Sequence, residues 1–230
     1  MMRKLFPLLL TAFMLLANLV LQAGDVIDRI VATVNGRPIL QSDWEEAISY
    51  EAFINGRPLE KLATQDRKAT LDRLVDQELL RQQLHFIDSP QATNQQLSQR
   101  LQEIRKLYPG ANTEAGWQAT LQRYKLNEME LQRRLAQQLD LARLIEAHFR
   151  PGIQIDSHSI EVYYQEKLVP ELRKSGSRPL ALNEVAPKIR ELLTQEKMNE
   201  LLGSWLRNLR AESQIKNQAS PTAAKGDQSR

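Results

Sequence analysis

Six apolar residues, Leu131, Leu135, Leu139, Ala142, Ile145 and Phe149, recur at steps of 4, 4, 3, 3 and 4. A helix turns that spacing into one continuous stripe, because 3.6 residues complete a turn, so this stretch must be a long amphipathic helix with a partner for its apolar face. Its limits are written beside it. Asn127 followed by Glu130 has the form of a capping box, and Pro151-Gly152 stops the pattern. The same grammar recurs upstream. Leu71, Leu74, Val75, Leu79, Leu80, Leu84 and Ile87 make a broad helical face that ends at Asp88-Ser89-Pro90. Thr93 with Gln96 caps another helix running to Tyr108, where Pro109-Gly110 breaks it, and a shorter helix covers Thr113 to Tyr124. Lys125 stands where a glycine is the expected helix terminator.

The ends of the chain read differently. Asp25 to Leu40 is β-branched and broken by Asn35-Gly36, a dipeptide that tolerates the positive φ angles of a tight hairpin. We expect a strand over about Ile27 to Val34 and a short return strand at Ile39 and Leu40, followed by a helix capped by Ser42 with Glu45. Downstream, a helix starting near Asp156 and Ser157 carries Ile160, Tyr163 and Tyr164 before a loop from Pro170 to Pro179. The last long helix is expected to start close to Pro187 and presents Val185, Ile189, Leu192 and Leu193, then Leu201, Leu202, Trp205, Leu206 and Leu209. Its polar middle, Glu196 to Glu200, suits a helix bridging two packing neighbours. Ser213 to Lys216 can pair with the hairpin, and residues 218–230 are small, polar and aperiodic, the pattern of a disordered tail. Trp44 and Trp205 lie on periodic faces and are assigned to the core.

Arg3 and Lys4 precede 17 uncharged residues, Leu5 to Leu21, and the small-residue exit Leu21-Gln22-Ala23-Gly24. That is the three-part form of a secretory signal, with cleavage expected near Ala23 or Gly24. The alternative, a retained anchor, meets a run shorter than the ~20 residues a bilayer core needs, interrupted by Pro7 and Asn18. The net charge of +3 (31 basic, 28 acidic) falls to +1 without the two signal cations, and no basic stripe with interleaved aromatics favours nucleic acid. With no cysteine among 230 residues, disulfide frameworks and thiolate metal cages are excluded. The expected location is the periplasm.

Two stretches carry a resemblance. Ile30 to Asp43 (Ile-Val-Ala-Thr-Val-Asn-Gly-Arg-Pro-Ile-Leu-Gln-Ser-Asp) resembles the opening of the SurA family of periplasmic chaperones and related foldases. Glu196 to Leu202, with Trp205 to Arg210, is similar to that family's closing helix, and Ile215 fits its final strand. The likeness spans about Val26 to Asn217. It implies a mostly α fold, a helical module whose small N-terminal β-hairpin pairs with a C-terminal strand, and a peptide-binding role. The expected organisation is a signal peptide over 1–23 and one helical chaperone module over 24–217, followed by the tail. Within the module, 24–150 is the N-terminal part, 151–181 a linker helix and loop, and 182–217 the closing helix and strand.

One departure matters. The best-known members insert parvulin-type prolyl isomerase domains of about a hundred residues between the N-terminal helices and the closing helix. Here Phe149 and Leu182 are 33 residues apart (182 minus 149), too few for such a domain. Its active site gathers histidines with a cysteine or aspartate, whereas His85, His148 and His158 fall on separate segments. Ser157-His158 has no third member, no glycine-rich phosphate loop is present, and no histidine and carboxylate set has metal-ligand spacing. Neither catalytic residues, nor a metal site, nor a cofactor is expected.

A protein that holds unfolded chains needs apolar or aromatic groups left open in the folded state. The candidates are Tyr108, Trp117, Tyr124, Met129, Tyr163 and Tyr164, which flank inter-helix loops, and each has plain core packing as its alternative. The 22 glutamines suggest a polar, weakly charged exterior suited to reversible contact. The favoured function is a holdase for unfolded polypeptides, outer-membrane β-barrel precursors in particular. A scaffold for one folded periplasmic partner, or for a second copy forming a homodimer by exchange of the terminal helix, is the alternative. Prolyl isomerase activity survives only as a family label.

Overall fold

The computed structural model describes residues 28–84, 91–178 and 180–218. The expected signal peptide, His85, the Ile87 to Pro90 helix stop and residues 219–230 lie outside that range. Strands β1 (Ile30–Val34) and β2 (Arg37–Leu40) form the expected hairpin, with Asn35 at φ 50° and Gly36 at φ 84°. Both central positions of a two-residue turn need that left-handed backbone, which asparagine and glycine adopt at least cost. Strand β3 (Ile215–Asn217) pairs antiparallel with β1, Lys216 opposite Thr33, so the sheet order is β2-β1-β3. β1 is therefore central, and its Val31, Ala32 and Val34 are wholly buried. Pro38 lies on the edge strand β2, where a missing amide costs no ladder bond.

Helix α1 (Gln41–Ile54) leaves β2 without a linker. That displaces the expected Ser42 and Glu45 cap. Leu40 is the capping position, its amide donates to Asp43 at 3.1 Å, and both the amide and the hydroxyl of Ser42 donate to Asp28. Glu45 instead accepts from Gln41 at 2.6 Å. The negative carboxylates of Asp28 and Asp43 thus satisfy the first turn and oppose the positive end of the helix dipole.

A single 3-10 turn (Leu59–Lys61) leads to α2 (Thr64–Leu84), which carries the expected apolar face. Helices α3 (Asn94–Lys106), α4 (Glu114–Arg123) and α5 (Glu128–Phe149) follow. The Thr93-Gln96 and Asn127-Glu130 boxes form as expected, and Thr113 caps α4 through Gly116. Helix α6 (Ser157–Tyr163) is capped by Asp156. The region expected as a loop from Pro170 is partly helical, because a wide helical turn (Tyr164–Leu168) continues into α7 (Val169–Lys174). Pro170 sits in the first turn of α7, where its missing amide is harmless. Helix α8 (Leu182–Glu212) starts five residues before Pro187. The proline deprives the Asn183 carbonyl of an intrahelical donor, and Asn183 is exposed, so water can serve instead.

Three apolar clusters organise these elements. In the first, the sheet, Trp44 and Ile48 of α1, and Leu71, Val75, Leu79, Leu80 and Leu84 of α2 enclose Leu209 of α8, with Leu202, Trp205 and Leu206 at the margin. In the second, the opposite face of α1 (Tyr50, Ala52, Phe53) meets Ile104, Trp117, Leu121, Leu131 and Leu135 of α3, α4 and α5. The third joins Ile160 of α6 to Val185 and Ile189 at the start of α8. Helix α8 thus spans two clusters, one at each end. Arg210 ties it to α2 through Asp76 at 2.6 Å and the Asp72 carbonyl at 2.8 Å, and Arg150 at the end of α5 grips Glu191 through two bonds.

Candidate functional site

Helices α1, α2 and α5 do not close completely on one another. Between them runs a cleft with two lobes. One is lined by Ala47, Leu74, Gln77, Gln137 and Leu141, the other by Ile54, Asn55, Leu62, Ala69 and Thr70, and both reach Tyr50, Glu51, Arg73 and Gln138. Local folding places these groups. Thr70, Arg73, Gln77 and Arg81 follow steps of 3, 4 and 4 on α2 and form a polar stripe beside its buried face. Arg134, Gln138 and Leu141, at steps of 4 and 3, do the same on α5.

The charges in the cleft are paired. Glu51 accepts from Arg73 Nε at 2.6 Å and from the Thr70 hydroxyl at 2.6 Å. Arg57 holds Asp66 through bonds of 2.8 and 2.9 Å, Arg81 meets Glu78 at 2.7 Å, and the nearly buried Arg134 meets Glu46 at 2.8 Å and the Asp43 carbonyl at 3.0 Å. The Arg57 guanidinium, helped by the Ala63 amide, holds the Asp66 carboxyl below the usual carboxylate range. The Tyr50 hydroxyl donates to Gln138 Oε1 at 2.5 Å, and burial pushes it up to about 12, so it remains a donor throughout the neutral range. Among the described residues, the amides of Gln77 and Gln137 have no protein hydrogen-bond partner. The cleft therefore offers apolar surface and neutral amides, with its ionic groups already satisfied.

The six sequence candidates lie elsewhere. Trp117 (2% exposed) and Tyr124 (8%) are inside the second cluster, which is the core-packing alternative weighed for them. There Phe53 stacks on Tyr108 at 4.8 Å and meets Tyr124 edge-on at 5.4 Å, and Arg105 lies over the Trp117 ring at 5.4 Å. Tyr108 is half-buried, donates to the Phe53 carbonyl, and is held protonated well above the usual phenol range, chiefly by burial. Tyr163 and Tyr164 are half-buried against the third cluster, with the Tyr164 hydroxyl donating to the Leu180 carbonyl at 2.7 Å. Met129 is open, 77% exposed. Trp44 is buried as expected, its indole donating to the Arg67 carbonyl at 2.9 Å, while Trp205 is half-buried and stacks on the exposed His148 at 4.7 Å. His158 is exposed, and no group of three or more metal-capable side chains gathers among the described residues. The cleft residues were missed because a polar stripe on one helix reads as solvated surface. The one available signal was the glutamine and arginine content of stripes adjoining apolar faces.

Residues 2–145 match the family model of the SurA-like N-terminal domain. The chain belongs to this SurA-like family. The matched span runs through α1, α2, α3 and α4 and most of α5, and so includes every residue of the cleft; α8 and β3 lie beyond it. No curated protein matches the chain. The SurA-like module is mostly α, with its N-terminal hairpin paired to a C-terminal strand, as the sequence resemblance implied. The interval from Phe149 to Leu182 holds α6, the wide turn and α7, all helical. No helix among the described residues is long and apolar enough to cross a membrane.

Proposed function

We propose that this SurA-like chain is a periplasmic holdase, exported by residues 1–23, that keeps outer-membrane β-barrel precursors apart while they are unfolded. Residues 24–217 act as one module, and its client surface is the cleft between α1, α2 and α5. The observation that carries the reading is the composition of that cleft within a SurA-like N-terminal domain: apolar floor, neutral amides and paired charges. Unfolded barrel strands alternate apolar and polar residues and carry an unpaired backbone. Glutamine amides can hydrogen-bond that backbone whatever its sequence, while Leu74, Leu141, Ile54 and Leu62 cover apolar side chains. Because the ionic groups are engaged with one another, binding should depend little on salt. The short helical interval between Phe149 and Leu182 supports a chaperone without its own isomerase domain. The exposed Met129 is a secondary contact in this scheme.

The test is titration of residues 24–230 with a urea-diluted outer-membrane barrel polypeptide, following client light scattering and tryptophan emission, with the folded barrel as control. Suppressed scattering and binding to the unfolded client alone are expected, with a cleft-blocking Gln77→Trp substitution weakening both. Binding confined to folded proteins would replace the holdase reading with the scaffold one.

A further inference from the structure

The two lobes of the cleft meet at a bar of side chains. Tyr50 reaches from α1 to Gln138 on α5, and Glu51 reaches from α1 to Arg73 and Thr70 on α2; Tyr50, Glu51, Arg73 and Gln138 line both lobes. The two halves of the bar are unequal. Glu51 and Arg73 are charged and doubly bonded, with Thr70 as a third member, and opening that pair would strand charge. Tyr50 and Gln138 share one neutral hydrogen bond, and Gln138 is exposed on a helix surface where its side chain can rotate into water. The ring of Tyr50 is packed in the second cluster and 4% exposed, so the mobile member is Gln138.

We propose that the Tyr50 to Gln138 hydrogen bond is a latch, and that a client opens it to run as one extended, uncharged segment through both lobes. The inference rests on the peptide-binding reading of the cleft. When Gln138 swings away into water, the Tyr50 hydroxyl can donate to a client carbonyl in its place, and the side-chain amides of Gln77 and Gln137 can pair with the client backbone. The exchange conserves hydrogen bonds, so the latch costs a client only its opening. Charged client residues are disfavoured in the middle of the track because the Glu51 and Arg73 pair beside it is already neutralised. The latch thereby selects for uncharged stretches long enough to occupy both lobes and reclaim its opening cost.

The probe is a fluorescein-labelled, uncharged peptide of about a dozen residues, alternating aromatic and small polar side chains, read by anisotropy against residues 24–230. Gln138→Leu leaves Tyr50 packed and cannot latch, so it should bind about fivefold tighter than wild type, the factor expected for one net hydrogen bond. Tyr50→Phe loses the latch together with a client donor and should bind more weakly than Gln138→Leu. A photo-crosslinker at Gln77 or at Leu62, one in each lobe, should capture the same peptide. Far-ultraviolet circular dichroism confirms that each variant is folded, and a failure of one to fold leaves the crosslinking and the other variant to decide. Unchanged or weaker binding by folded Gln138→Leu, or crosslinking from one lobe only, overturns the latch and leaves the peptide-binding reading standing. Absence of binding by every form, wild type included, overturns both.

Discussion

Lys125 is held at φ 55°, a left-handed conformation that ends α4 and that a side chain makes costly. Its amide bonds to the Gln122 carbonyl at 2.9 Å and the next amide, Leu126, to the Leu121 carbonyl at 3.0 Å, so the turn cannot relax without losing both. Lys125→Gly should stabilise the protein by about 1 kcal/mol, read as a raised urea midpoint with an unchanged slope. Gly116 is the opposite case. A methyl group there would overlap the Gly110 carbonyl, a backbone atom that cannot swing aside, and Gly116→Ala should destabilise by about 2 kcal/mol. The glycine expected after α4 was legible as an anomaly in the sequence, because helix termination is local. The need for Gly116 was not, since it arises from a loop folding back on the helix start.

At the scale of elements, α5 and α8 are joined near Phe149 by the Arg150 grip on Glu191 and by the His148, Phe149 and Trp205 rings. The Arg150 guanidinium holds the Glu191 carboxyl below its ordinary value of 4.5. A carboxyl depressed in the folded state contributes stability above its unfolded value and loses it as pH falls through the folded one. Acid should therefore loosen this junction, and Trp205 emission should shift as pH falls below the ordinary glutamate range, whereas Glu191→Gln should start loosened and show a smaller shift there. A full-sized acid shift in that variant would assign the effect to other carboxylates. Each helix of this junction could be read from its stripe, and α5 from its cap as well, but their pairing could not: Arg150 and Glu191 are 41 residues apart, and nothing periodic connects them. The α1 cap illustrates the same limit. Ser42 and Glu45 satisfy the local motif, yet Asp28, 14 residues away, takes Ser42 for itself.

Across the whole molecule, the last strand closes what the first begins. Asn35 donates from Nδ2 to Gln82 at 2.9 Å and to Ser213 at 3.2 Å, and its Oδ1 accepts from the Gln214 amide at 2.9 Å, so one turn residue joins the hairpin, α2 and the C-terminal strand. Removing residues 183–216 takes Leu209, Trp205 and β3 away from the first cluster and uncovers one edge of β1. The truncated chain should lose its cooperative melt and much of its helicity; retention of both would show that the N-terminal helices need no closing helix. Asn35→Ala should lower the melting temperature by several degrees, because it forfeits both the left-handed preference and the three long-range bonds. The sequence by itself determined the longer helices, several of their caps, the hairpin and the mostly α class, since these depend on neighbours within about four residues. It also implied the SurA-like likeness, which rests on short ordered motifs. Only the tertiary structure decided which aromatics are core and where a cleft remains open, because full burial of Trp117 and only partial burial of Gln77 depend on three helices meeting at once, and a residue's own helix determines only the side from which it can be met.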